Sequence, residues 1–359
     1  MSRTIIPLGP QHPVLPEPIH LKLVMQDEKV LEAIPAVGYV HRGLEKLTET
    51  KDYTQNVFIV ERICGICSFM HALAYCQGIE TLMAITVPDR ARYLRVIWAE
   101  LHRMHSHLLW LGLLADSFGF ESLFMQVWRN REKVMDIMEE TAGSRIIIST
   151  NAIGGTRRDI SKEMLLKVAI IADEIKEDLK KVEKVFFNDY TVKHRLVGVG
   201  VLTSEEAYTL GAVGPMARAS GINQDLRTTG YAAYGELDFE PVVEAGGDSY
   251  SRTVVRLKEV YQSISLIKQA ISNIPDGEIS VPVKGNPPKG DVISRVEQPR
   301  GEALYFMRGN GTKNLDRLRV RTPTFANIPS LLQMLPGSQL ADVPVLILTI
   351  DPCISCTER

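Results

Sequence analysis

ERICGICSFMH, residues 61–71, sets two cysteines three positions apart in a chain of 359 residues that has only five. Cys64 and Cys67 can chelate one ion, but two thiols leave a coordination sphere half filled. The other close pair is Cys353 and Cys356, in DPCISCTER at 351–359. A Cys-x-x-Cys on a turn entering a helix aims both sulfurs at one point. Two such pairs offer four thiolates, a donor set for zinc, iron–sulfur, or nickel and iron. Small zinc modules keep their pairs close in sequence, whereas these stand near opposite ends. A dithiol redox pair explains one motif and leaves the other unused. On spacing alone zinc, redox and a larger metal site all stay open, and a shared site requires a fold that brings the ends together. Cys76 reads as a small buried hydrophobe.

Between the pairs the pattern is helical. In RARYLRVIWAELHRMHSHLLWLGLLAD (90–116), apolar residues at 94, 97, 98, 101, 104 and 108 follow a 3.6-residue period. The last third is apolar all round, which predicts burial among other helices. Further helices are expected over about 124–142, over 161–186 with Ser161 as N-cap, and over 253–274, closed by Pro275 and Gly277. Four such helices suggest a central bundle. Before them, IHLKLVM (19–25) alternates as a strand, and VLEAIPAVGYV (30–40) can pair with it across Asp27-Glu28. After them, 282–291 reads as loop, GEALYFMRGNG (301–311) as strand and turn, and VPVLILTI (343–350) as a buried strand or apolar stretch. The expected fold class is α+β, mostly helical. It forms one domain over 1–359, with a β-containing region at 1–60, the bundle at 85–275, and a loop-and-strand region at 276–359.

Composition narrows the function. Apolar residues at 45% and charged residues at 23% are ordinary for a folded protein. A net charge of −2 gives no basic excess, so no nucleic acid is expected. The basic runs RNREK (129–133) and KNLDRLRVR (313–321) read as solvated helix faces or ion pairs. No apolar run approaches the ~18–20 residues of a membrane span, and MSRTIIPLGPQHP has no signal-peptide core. The expectation is a soluble intracellular chain in a reducing compartment, attached to a membrane only through partners.

ERICGICxxxH and DPCxxCxxR together resemble the two signature motifs of [NiFe]-hydrogenase large subunits, and RGLE (42–45) is similar to a third. GPQHP (9–13), GYVHRGLEKL (38–47), VPDRARYLRVIWAELHR (87–103), GPMARASGINQDLR (214–227), GGDSYSR (246–252) and PRGEALYFMRGNG (299–311) resemble the branch shared with the 49-kDa-type subunit of respiratory complex I. The likeness runs end to end and is most similar to the Ech-type, group 4 energy-converting hydrogenases.

The resemblance implies a nickel–iron centre whose iron carries CO and cyanide. Cys64 and Cys353 would be terminal nickel ligands, and Cys67 and Cys356 would bridge to iron. It implies Glu45 as first proton acceptor and Arg300, with Pro299 and Asp351, over the open face of the metals. Arg62 is a second candidate cation beside the thiolates. Thr324 would bond an iron cyanide, and His71 would donate near Cys67. Without the family, Arg300 would be read as an ion pair with Glu302. The three histidines of HRMHSH (102–107) read as bundle interior or surface, because no HExxH or carboxylate companion accompanies them.

Where many relatives end in a histidine that helps hold a divalent ion, Arg359 stands. A guanidinium cannot ligate metal, so magnesium is not expected and the arginine's charge takes its place. A chain ending there fits either a matured protein or a type without a removable extension. The implied partners are a small subunit with a proximal [4Fe–4S] cluster, a ferredoxin-like iron–sulfur subunit, ferredoxin itself, and membrane subunits that move ions. The implied location is the cytoplasmic face of the membrane. Within the same fold the rival is a quinone-binding subunit, which Tyr53 resembles. That branch needs a second histidine where Pro16 stands, and it has no use for four cysteines. A scaffold holding structural zinc explains neither Glu45 nor the PRGE loop.

Overall fold

Alternation builds the N-terminal sheet. In strand β2 (His20–Gln26) Leu21, Leu23 and Met25 are buried while Lys22 faces solvent, the period of a strand covered on one face. It pairs antiparallel with β1 (Thr4–Leu8) and β3 (Lys29–Ala36). Asp27, at φ 54°, makes the expected turn. The strand expected to reach residue 40 ends at Ala36. The computed structural model describes residues 3–13, 15–284 and 287–359. Positions 285 and 286 of the expected 282–291 loop lie outside them.

Helix α1 (Leu44–Thr50) follows the sheet, and α2 (Ser68–Leu82) follows the first cysteine pair. The bundle comprises α3 (Asp89–Ser117), α4 (Glu121–Ala142), α5 (Lys162–Asn188) and α6 (Ser249–Asn273). α3 packs on α4 and α6, and α5 packs on the same two, closing a ring of four. α3 is buried along nearly its whole length, as its apolar last third predicts. The stripe of α5, from Leu165 through Val168, Ile175 and Leu179 to Phe186, is buried. Ser161 caps that helix by accepting from the Met164 amide at 3.2 Å.

Beyond the bundle, β4 (Lys289–Gln298), β5 (Gly301–Asn310) and β6 (Leu315–Arg321) form an antiparallel sheet in that order. The loop expected over 282–291 therefore gives way to strand at Lys289. KNLDRLRVR is neither a helix face nor a mere charge run. Leu315, Leu318 and Val320 point inward from β6 while Arg319 and Arg321 face out.

The loop-and-strand expectation for 276–359 fails after residue 321. There the chain is helical, with α7 (Pro323–Met334), α8 (Val343–Thr349) and α9 (Ile354–Glu358). VPVLILTI is α8, not a strand. Pro344 sits in its first turn, where no amide is needed, and burial on nearly all sides hides any period. α8 docks on the bundle through Trp110 Nε1, which donates to the Leu348 carbonyl at 2.6 Å, and Arg256, which donates to that of Thr349 at 3.0 Å. α2 packs on β4 and β5, so the two ends of the chain meet beside the bundle.

Candidate metal centre

Both cysteine pairs sit at the entrance of a helix, as their spacing predicts. A single 3-10 turn (Glu61–Ile63) delivers Cys64 in extended conformation, and Cys67 is the N-cap of α2. Cys353 is the N-cap of α9, and Cys356 lies within it. All five cysteines are free. Cys67 Sγ stands 3.4 Å from Cys356 Sγ, and Cys353 Sγ stands 3.1 Å from Cys64 Sγ. The sulfurs of Cys64, Cys67 and Cys356 lie within 4.8 Å of one another. None of the four side chains is more than 3% exposed.

Side chains from distant elements fix the two loops. Arg42 donates to the carbonyls of Ile63 (2.8 Å) and Ser355 (3.2 Å), so one guanidinium ties the first loop to the second. Thr324 Oγ1 accepts from the Cys353 amide at 3.1 Å, and Thr322 donates to the Cys356 carbonyl at 3.1 Å. Arg300 rides the two-residue turn between β4 and β5, beside the buried Pro299. That turn rests on Gly214, where a Cβ would meet the Arg300 carbonyl oxygen at 2.4 Å, so glycine is required there.

Arg300 pairs with Asp351 rather than with Glu302. Its Nη2 reaches Asp351 Oδ1 at 2.6 Å, its Nε donates to the Asp351 carbonyl at 2.8 Å, and its Nη1 donates to Ser106 Oγ at 3.2 Å. Burial opposes the charge, but Asp351 and the sulfurs of Cys353, Cys64 and Cys67 hold the guanidinium protonated. His71 bonds Cys356 Sγ at 3.3 Å, not Cys67, and its other nitrogen meets Tyr305 Oη at 2.6 Å. Arg62 turns away from the sulfurs. It is more than half exposed and bonds Glu61 and the Phe58 carbonyl.

The charge balance of the sulfurs tests what they can hold. Burial works against ionisation of Cys67, yet hydrogen bonds from Cys353, Cys356 and Cys64 and the charge of His71 hold it well below the ordinary thiol value. Burial and its bonds to the other three push Cys356 well above. Against its bond to Cys356, the bonds of Cys353 to Cys64 and Cys67 and its burial hold it well above too. Four thiolates need cations of matching charge, and two divalent metals supply it. The donor set fits a nickel–iron pair: soft, closely spaced and shielded from water.

Two carboxylates approach the second loop. Glu45 bonds no thiol among the described residues. It accepts from Arg359 Nε (2.9 Å), Arg319 Nη1 (3.0 Å) and the Val320 amide (3.0 Å). Burial raises its pKa, but the Val320 amide and Arg359 outweigh this and leave it below the usual range. The Arg359 guanidinium therefore sits directly against Glu45. Glu17, which sequence reasoning missed, accepts from the amides of Ile354 and of Ser355 (3.1 Å), between the two C-terminal cysteines. Burial raises its pKa above the ordinary value, and the Cys67 charge adds to this against Arg300. The bundle histidines are interior, as expected, with His102 and His105 no more than 1% exposed.

Comparison with known proteins fits this geometry. The nickel-dependent hydrogenase profile matches residues 42–116, and that of the 49 kDa subunit of respiratory-chain NADH dehydrogenase matches 117–286 and 282–359. The carbon monoxide-induced hydrogenase of Rhodospirillum rubrum is 38% identical over 365 residues, covering 100% of both chains. The chain belongs to the family of hydrogenase large subunits and complex I 49 kDa subunits. Within that family, the alpha subunit of the membrane-bound hydrogenase of Pyrococcus furiosus is 38% identical over 99% of this chain and 87% of its own. An NADH-quinone oxidoreductase subunit from Dehalococcoides mccartyi is 35% identical over 99% and 98%.

Proposed function

We propose that this chain is the catalytic subunit of a membrane-bound [NiFe]-hydrogenase that interconverts H2 with protons and electrons. The observation that carries the reading is the convergence of Cys64, Cys67, Cys353 and Cys356 in one buried pocket. Cys64, Cys67, Cys353 and Cys356 would together hold the nickel–iron pair, whose iron would carry CO and cyanide. When bound, that centre supplies the site where H2 is split or formed. Thr324, whose oxygen accepts from the Cys353 amide, keeps its hydroxyl proton to donate to a cyanide. Arg300 and Asp351 keep a fixed positive group beside the sulfurs, and His71 donates to Cys356. For the proton released at sulfur, the acceptor we assign is Glu17, whose carboxylate lies against the Ile354 and Ser355 amides between the two C-terminal cysteines. Glu45, the expected one, is bound by two guanidinia and serves to anchor the C-terminal turn.

Of the five cysteines only Cys76 lies outside this site, too few for a further cluster. Electrons therefore pass to partners, a small subunit with a proximal [4Fe–4S] cluster and then a ferredoxin-like subunit and ferredoxin. No helix among the described residues is long and apolar enough to cross a membrane. In this reading attachment to the cytoplasmic face and coupling to ion movement fall to membrane subunits; the membrane-bound Pyrococcus relative supports a membrane complex.

A quinone-binding role is the second reading, favoured by the likeness to the complex I 49 kDa subunit over 117–359. Elemental analysis of the complex from its native host separates them. About one nickel per copy of this chain, with iron beyond what partner clusters need, is the expected result. No metal on the four cysteines turns the assignment to quinone, and zinc turns it to a structural site.

A further inference from the structure

Stretches that the metal centre leaves unused put their charged side chains in one place. GPMARASGINQDLR brings Arg218, Asp225 and Arg227, and α3 brings Glu100, Arg103 and His107. α6 brings Glu259, and the end of β4 brings Glu297. None is more than 3% exposed. Arg218 reaches Glu259 at 2.7 Å, Glu297 at 2.8 Å and Asp225 at 3.4 Å. Arg227 bonds Asp225 at 2.8 Å and Glu100 at 3.3 Å, and Arg103 bonds Glu100 at 3.2 Å. His107 Nε2 meets Glu259 at 2.8 Å. Arg256 lies alongside, its charge felt by both Glu259 and Asp351, but its own bonds go to the carbonyls of Arg252 and Thr349.

Three guanidinia thus face four carboxylates by direct contact. With Arg256 alongside, the charges balance, but a carboxylate sealed from water is costly to keep ionised unless donors clamp it, so a proton is held most readily at the least clamped acid. Three of the acids are clamped. Glu100 accepts from Arg103, Arg227, Ser263 and Tyr234. Asp225 accepts twice from the Arg227 guanidinium, and Glu259 accepts from Arg218 and His107. Among the described residues the Glu297 carboxyl bonds Arg218, which it shares with Asp225 and Glu259, and the Leu226 amide at 3.2 Å.

We propose that this cluster is a proton-holding site, loaded and emptied at Glu297, between the metal centre and the cavity that Tyr231 borders. Towards the metals, Arg103 donates to the carbonyls of Glu297 and Gln298, and Arg300, which follows in the same turn, bonds Ser106 on α3. The Gln298 side chain is fully buried with neither amide atom bonded among the described residues, and the same holds for Asp351 Oδ2. Such atoms call for bridging water. On the far side, the Glu297 amide donates to Tyr231 Oη at 3.1 Å. Tyr231 lines a cavity of about 580 Å3 with Gln77, Arg92 and Arg95. Burial and the Asp225 charge push the Glu297 carboxyl up to about 7 against Arg218 and Arg103, while Asp225 and Glu259 are held well below the carboxylate range. In each passage one O–H bond forms at Glu297 as another breaks, and no electron moves.

The proposal rests on H2 chemistry at the four cysteines, but its first test does not. Infrared titration of the purified complex, with glutamate 13C-labelled at the carboxyl, reads protonated acids directly. We expect one buried acid band that fades as pH rises through about 7 and is missing in Glu297→Gln. No such band in the parent, or its survival in the variant, overturns the site. A complex without nickel that still shows the band refutes the hydrogenase reading and keeps the proton site. For the route, Glu297→Gln with nickel retained should slow H2/D+ exchange on the order of a hundredfold and remove the limb near 7 from its pH profile. An unchanged profile overturns the route. The parent titration needs no variant, so a misfolded Glu297→Gln leaves it decisive.

Discussion

Glu17 and Glu45 approach the same cysteine loop but are held in opposite ways, and substitutions can tell them apart. Glu17 lies in a desolvated setting where a proton is easily accepted. Glu17→Gln should keep nickel and lose H2/D+ exchange by roughly 10²–10⁴-fold, the usual worth of a positioned acid–base group. Glu45→Gln removes the partner of Arg319 and Arg359. It should loosen the C-terminal turn and lower the thermal midpoint, with exchange per bound nickel near the parent value. If Glu17→Gln exchanged at the parent rate while Glu45→Gln did not, the two roles would have to be swapped. Cys64→Ser should abolish nickel retention, because a hydroxyl is a hard, poor donor to nickel; metal analysis of the purified variant checks it.

At the scale of the element, α3 carries a pH liability. Burial pushes His102 down to about 4 and also lowers His105 and His107. An unfolded histidine takes a proton near pH ~6.5. As pH falls from there toward about 4, the unfolded chain gains protons that buried His102 cannot accept. The stability His102 contributes is complete above about 6.5 and drains over that interval, by on the order of 3 kcal/mol at ~1.4 kcal/mol per pH unit. Urea midpoints at pH 7 and pH 5 should differ, and less so in His102→Gln. On α5, Ser161→Ala removes the cap on Met164 and should cost about 1 kcal/mol, read from the same denaturation curves.

Over the whole molecule, what could be read in the sequence was what local spacing encodes. The bundle helices show their stripes, and the cysteine pairs show both ligand type and approach to a helix. The period of β6 was also present, with Leu318 and Val320 alternating against Arg317, Arg319 and Arg321, but its charge masked it. Such charges suit an edge strand, where they discourage pairing with another chain. α8 could not be told from a strand, since burial all round erases the period. Glu17, the Tyr305 partner of His71 and the Asp351 partner of Arg300 depend on packing between distant segments. No local signal announces them.

The same separation sets a timetable for synthesis. Cys67 and Cys356 are 289 residues apart. At about 5–20 residues per second a ribosome needs roughly 15–60 s to make that stretch. Throughout this interval the first two thiols are in the growing chain while the strands and helices that later bury them are still missing. A nascent chain in this state is a two-thiol chelator open to oxidants and stray zinc, and it has no pocket to refuse them. A protein whose finished centre is sealed from water is therefore most vulnerable before residues 351–359 exist.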